Sequence, residues 1–88
     1  MTEPLVKFKM PEYFWVEFRG PKGWGQVTDA GTEEGFFYPE QLAEAIKEAQ
    51  EIAAVYPRWE TFRRDLSNYR VVRYADGNMT IAWQGAQP

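Results

Sequence analysis

Tyr69-Arg70-Val71-Val72-Arg73-Tyr74-Ala75-Asp76-Gly77-Asn78-Met79-Thr80-Ile81-Ala82-Trp83 carries two independent signals for one hairpin. Asp76-Gly77 is the type I′ hairpin signal, because both central residues of that turn need positive φ. A two-residue loop there sets Tyr74 opposite Met79 and Val72 opposite Ile81. Both pairs, with Trp83, share one face, and Val71, Arg73, Thr80 and Ala82 share the other. The apolar residues of the two arms fall on the same side, so turn chemistry and side-chain alternation agree. The expectation is a closing β-hairpin over Tyr69–Trp83, with Val72, Ile81 and Trp83 against a helix.

The chain offers one candidate for that helix, Tyr38–Tyr56. Leu42, Ala45, Ile46, Ala49, Ile52, Ala53 and Tyr56 recur at the spacing of a buried helical stripe. Pro39 suits a first turn, where its missing N–H costs nothing, and Pro57 stops the helix. Ile46, Ala49 and Ala53 are the expected seat of the hairpin. Upstream, Tyr13–Arg19 reads as a strand whose Phe14, Val16 and Phe18 make an apolar face. Tyr13, Trp15, Glu17 and Arg19 make its mixed face. Gly20-Pro21-Lys22-Gly23 is turn chemistry, so Trp24–Thr28 returns as the second arm of a hairpin. Leu5–Met10 alternates Val6, Phe8 and Met10 with lysines, in the manner of a short edge strand. Asp29–Gly35 reads as a polar loop without a core residue. Phe36 and Phe37 stand where they can pack on the first helical turn. Arg58–Asn68 fits either a short second helix or an ordered loop, because Trp59, Phe62 and Leu66 are three and four apart. The sum is an α+β domain spanning 1–88: an antiparallel sheet of about four strands, made of two hairpins, on one main helix.

Composition narrows the chemistry. The 88 residues include no His and no Cys, but four Trp, five Tyr and six Phe. The missing pair supplies most general acid–base groups, thiolate nucleophiles and metal ligands, so the expectation is a non-enzyme with no cofactor and no metal. Aromatics anchor small cores and protein interfaces. No apolar run approaches a membrane span, and the start, Met1-Thr2-Glu3-Pro4, is acidic where a signal peptide is basic, so the expectation is a soluble cytoplasmic protein without a membrane partner. Gly20-Pro21-Lys22-Gly23-Trp24-Gly25 lacks the Gly-Lys-Ser/Thr ending of a phosphate-binding loop.

The net charge is −3, and it is unevenly spread. Asp29–Glu51 holds seven acidic residues against Lys47, whereas Arg58–Arg73 holds five arginines against Glu60 and Asp65. Glu40, Glu44, Glu48 and Glu51 form one exposed helical row, readable as a docking strip for a basic partner or as an ordinary solvated face. Trp59, Arg63 and Arg64 belong to an Arg–aromatic stretch of the type that forms protein hot spots. The same stretch, Arg58–Arg73, supports the alternative of a nucleic-acid-binding accessory protein, against which the net negative charge argues. Trp15, beside Tyr13 on the mixed strand face, completes the candidate binding residues. It is either an exposed anchor or is covered by the Phe36-Phe37 segment.

In layout, the Tyr13–Phe18 strand, the Ala/Glu-rich Gln41–Ala54 helix and the closing Tyr69-Arg70-Val71-Val72-Arg73 strand with its Asp-Gly turn resemble small phage and prophage proteins. Inhibitors of bacterial defence systems, including anti-CRISPR proteins, are among these. The resemblance implies occlusion of a surface on a larger protein or ribonucleoprotein complex, with no particular residue assigned to that role.

Overall fold

The computed structural model of the protein describes residues 12–31 and 35–86. It has an α+β architecture in which a four-stranded antiparallel sheet packs on one main helix. Strand β1 (Glu12–Gly20) is followed by β2 (Gly23–Gln26), then by helix α1 (Leu42–Ala54) with a 3-10 turn, Pro39–Gln41, at its start. Helix α2 (Thr61–Arg64) and a 3-10 turn at Leu66–Asn68 lead into β3 (Tyr69–Ala75) and β4 (Asn78–Gln84). The strand order is β2-β1-β3-β4, so the two hairpins join through antiparallel pairing of β1 with β3. The Arg58–Asn68 segment thus resolves into a short helix and a 3-10 turn. The Leu5–Met10 strand expectation lies outside the described residues.

The closing hairpin forms as the turn chemistry predicts. Asp76 (φ 52°) and Gly77 (φ 82°) both adopt positive φ, with Ala75 opposite Asn78 and Tyr74 opposite Met79. The faces, however, differ from the expectation at one point. The register shifts between Val71 and Val72, so that Val72 faces Ile81 but Val71 faces Trp83. The extra residue, Ala82, is a β-bulge, and it turns Trp83 onto the opposite side of the sheet from Ile81. The helix covers the Val71 side, because β1 sets Val71 opposite Val16 of its apolar face and Val72 opposite Trp15 of its mixed face. Val16, Val71 and Tyr69 share a core with Ala45, Ala49 and Ala53, and Trp83 and Ala82 pack against it. Val72 is buried on the far face, and Ile81 stays half exposed there. The predicted contact of Val72 and Ile81 with the helix is thus corrected. Trp83 does lie on the helix side, as expected, and it is the bulge that brings it there beside Val71.

Helix α1 follows its predicted stripe. Its three fully buried residues are alanines, which let the helix lie close to the sheet. The Tyr38 N–H donates to Gln41 Oε1 at 2.8 Å, satisfying an otherwise unpaired backbone donor at the entry to the helix. Strand β2 ends at Gln26 rather than Thr28, although the Val27 N–H still reaches the Val16 carbonyl at 2.8 Å. Ala30 is fully buried in the core, which corrects the reading of Asp29–Gly35 as a loop without a core residue. Its single methyl gave no hydrophobic signal among polar neighbours. The two phenylalanines ahead of the helix part company. Phe37 exchanges backbone hydrogen bonds with Phe14 and enters the core, whereas Phe36 reaches the other face of the sheet.

Candidate binding surface

On α1, Leu42, Ile46 and Ile52 border the buried alanines and leave the opposite side to water. Glu44 and Glu51 are exposed and Glu48 is half buried, while Glu40 is exposed on the preceding turn. The row is lightly tied: Glu44 Oε1 accepts from Gln41 Nε2 at 3.0 Å. Val55, at the C-cap with helical backbone angles, falls four residues after Glu51 on the same side. It is 77 % exposed. The acidic row therefore runs into an apolar residue at the helix end.

The chain then turns through Pro57, whose carbonyl accepts from the Glu60 N–H at 2.9 Å. Trp59 sits in this turn and is 78 % exposed. The segment is nonetheless firmly held from beneath. Arg64 Nη1 donates to the carbonyls of Ala54 and Tyr56, capping the end of α1. Asn68 Nδ2 donates to the Phe62 carbonyl at 2.9 Å, and the Tyr69 hydroxyl donates to the Arg63 carbonyl at 2.7 Å. Phe62, half exposed, meets Phe18 edge-on at 5.6 Å. The Arg63 guanidinium lies 5.3 Å over the Tyr56 ring, with Glu60 3.9 Å away. An ordered loop thus presents Val55, Trp59 and part of Phe62 to solvent, with Arg63 among them.

Trp15 is built into the opposite face of the sheet. Its indole N–H donates to Glu17 Oε2 at 2.8 Å, and Phe36 lies edge-on to it at 6.2 Å. Glu17 is buried and pairs with Arg70 at 2.7 Å. Arg70 in turn stacks 4.1 Å over the Trp24 ring. Arg19 approaches Trp24 from the same face and donates to Asn68 Oδ1 at 2.8 Å. Of the eight candidate residues, Glu44, Glu48 and Glu51 thus lead toward Trp59 and Arg63, with Glu40 at the row's far end. Arg64 acts beneath that surface as a cap, and Trp15 lies on the other side of the sheet.

Val55 and Phe62 were not among those candidates. Val55 was legible in the period of the acidic row, four residues after Glu51, although Pro57 two residues later marks the same position as the helix end. Phe62 carried a helical spacing that also fits a core residue. Two tyrosines are perturbed. Burial pushes the Tyr69 hydroxyl up to about 12, with Tyr56 adding to the rise and Arg63 opposing it. Burial, then the nearby Tyr74, raises Tyr13.

Among the described residues, no cluster of three acidic side chains forms that could hold a metal, and no helix is long and apolar enough to cross a membrane. A groove of about 450 Å³ beside the β1–β2 turn is lined by Phe18, Pro21, Val27 and neighbouring glycines, with Lys22 its one charged group. No protein-family profile, no curated protein and no solved structure matches this chain.

Proposed function

We propose that the protein is a non-enzymatic binding module that modulates a larger cytoplasmic protein or ribonucleoprotein complex by covering part of its surface. The contact is the Val55–Arg63 loop, flanked by the Glu44–Glu48–Glu51 row. The observation that carries this reading is the exposure of Trp59 on a loop pinned by Arg64, Asn68 and Tyr69. A Trp left in water on an ordered segment is a ready interface anchor, because its burial yields much area at little ordering cost. The acidic row selects a partner with a basic rim around an apolar pocket. Small phage inhibitors of bacterial defence complexes, which the layout resembles, act in this manner, and a complex of that kind is the partner class proposed.

The nucleic-acid reading is weakened by how the arginines are used. Arg64 is spent on backbone carbonyls, Arg70 on Glu17, and Arg73 on Glu12. That leaves Arg58 and Arg63 as the more available cations, beside an acidic helix.

The test is capture of the partner with the tagged full chain, followed by affinity measurement with the purified partner. Trp59→Ala should weaken binding by roughly 30-fold, the size of a 2 kcal/mol hot spot, with an unchanged circular dichroism spectrum. Glu44→Lys/Glu48→Lys should weaken it at low salt and matter less near 1 M, where the Debye length is about 3 Å. Equal affinities for all three proteins across that range refute the assignment. Tight, salt-sensitive binding to generic DNA or RNA would favour the alternative.

A further inference from the structure

The outer edge of the sheet at β4 is built unlike a guarded edge. Among the described residues no strand pairs with it, since β4 ends the order β2-β1-β3-β4. Natural edges are protected by lysines, prolines, bulges, inward charges or extreme shortness. Asn78-Met79-Thr80-Ile81-Ala82-Trp83-Gln84 has no charge and no proline over seven residues. The bulge lies at its far end, at Ala82, and leaves Asn78–Ile81 regular. The opposite edge differs: β2 is four residues long, and the rest of β1 is covered through Phe14 and Phe37.

Hairpin geometry tells which backbone groups face outward. A two-residue loop closes on a pair that exchanges hydrogen bonds, here Ala75 with Asn78, and such pairs alternate along the ladder. Thr80 therefore bonds inward to Arg73, while the N–H and C=O of Met79 and Ile81 point away from β3. The same two residues carry the exposed apolar side chains of the edge, at 60 % and 49 %.

We infer that β4 pairs with β4 of a second copy, antiparallel across a two-fold axis through Thr80, joining two sheets into one. In that register Met79 lies opposite Ile81 of the second copy, so each outward donor and acceptor meets its complement. The exposed apolar side chains meet on one face, and the two threonines meet on the other. An uncharged strand meets its own copy without like-charge repulsion, and an isologous contact of this kind closes at two. The regular edge is only about 14 Å long at roughly 3.4 Å per residue. That is small beside the roughly 800 Å² per partner of a stable interface, so the dimer should populate on the order of 100 µM.

The test is sedimentation of the full chain from 5 µM to 1 mM, with amide exchange read by NMR on the same samples. The mean mass should rise from 10.3 kDa toward twice that value. The Met79 and Ile81 amides should gain protection with concentration, whereas the exposed Ala43 amide neighbourhood of α1 should not. Met79→Lys and Ile81→Lys should each remain monomeric, with Trp59→Ala and Val6→Ser/Phe8→Ser associating like the wild type. A constant mass, or concentration-independent exchange at Met79 and Ile81, overturns the inference. Loss of association in Trp59→Ala or in Val6→Ser/Phe8→Ser overturns it too, by assigning the contact to the loop or to the N-terminal segment. The exchange measurement uses the wild-type chain and so stands even if a lysine variant unfolds.

Discussion

Val71 and Ile81 are both β-branched strand residues of the closing hairpin, yet they lie on opposite faces of the sheet and should respond very differently to truncation. Val71 is fully buried, flanked by Val16 of β1 and Trp83 of β4 in the core that holds the alanines of α1. Val71→Ala removes two methyl groups, about 1.6 kcal/mol of transfer free energy at roughly 0.8 kcal/mol per buried carbon. A residual void of about 25 Å³ after partial relaxation adds about 0.6 kcal/mol at roughly 24 cal/mol per Å³. The sum, about 2.2 kcal/mol, corresponds to a fall in Tm of roughly 9–18 °C for a domain of this size. Ile81→Ala removes three carbons, but the side chain is half in water and opens no enclosed cavity. Its expected cost is about 1.2 kcal/mol from the same coefficient. Urea titration at 5 µM protein, well below the proposed self-association, measures both through the midpoint, with unchanged m confirming that the comparison is between like states. A cost for Ile81→Ala equal to or above that of Val71→Ala would refute the assignment of faces, because it would mean that Ile81 and not Val71 faces the helix.

Two further outcomes follow from the loop and the helix. The Tyr69 hydroxyl, raised to about 12 from 10, has a folded-state value above its unfolded one. Its contribution to stability is therefore fully present below pH 10 and is lost as pH rises toward 12. Urea midpoints across that window should fall, and the fall should be shallower in Tyr69→Phe; identical slopes would count against the buried hydroxyl. Glu51→Lys should change stability by less than about 0.5 kcal/mol, because the gain of a cation near the C-terminus of α1 is offset by the like charge of Lys47 four residues earlier. The same change should reduce affinity for the partner at low salt, and a folded variant with unchanged affinity would remove Glu51 from the binding row.

Much of the architecture was legible because local signals agreed. Asp76-Gly77 specified the turn, and the alanine-rich stripe specified the buried side of α1. The β1 alternation put Phe14 and Val16 in the core, as observed. Trp83 was expected against the helix and packs there, whereas Val72 and Ile81 were misplaced, because the covered face of the hairpin is set by pairing with β1, Val71 opposite Val16, and not by the hairpin's own pattern; the bulge that parts Trp83 from Ile81 forms where β4 ends against Tyr69 and Leu66. Gly85 marks that ending: its N–H bonds the Tyr69 carbonyl at 3.0 Å, and a Cβ there would meet the Leu66 carbonyl oxygen at 2.0 Å. Ala30 was missed because one methyl in a polar loop has no periodicity to report. At the surface, the exposure of the acidic row followed from helical period alone. The difference between Arg63, which faces the surface, and Arg64, which caps a helix, follows from tertiary hydrogen bonds that neighbouring identical residues do not announce.

The acidic row is set against the helix that carries it. Glu44 lies in the first turn of α1, where the dipole favours negative charge. Glu51 lies near the other end, where the dipole disfavours it, and the last turn contains no basic residue. The positive charge that belongs at this end comes instead from Arg64, ten residues beyond Ala54, which reaches back to the open carbonyls. Two consequences come from that one arrangement. The helix end is satisfied without a basic residue in the last turn, so Lys47, three residues after Glu44 and four before Glu51, is the one cation of α1 beside the row. The intervening loop is tied down at the same time, so Trp59 is held out on a short ordered turn and needs little further ordering to dock. A helix optimised only for stability would carry its own basic residue in the last turn and would not need the loop. The departure from that optimum falls where the exposed apolar and acidic residues meet, which is where departures from local optima are expected when a surface is used for binding.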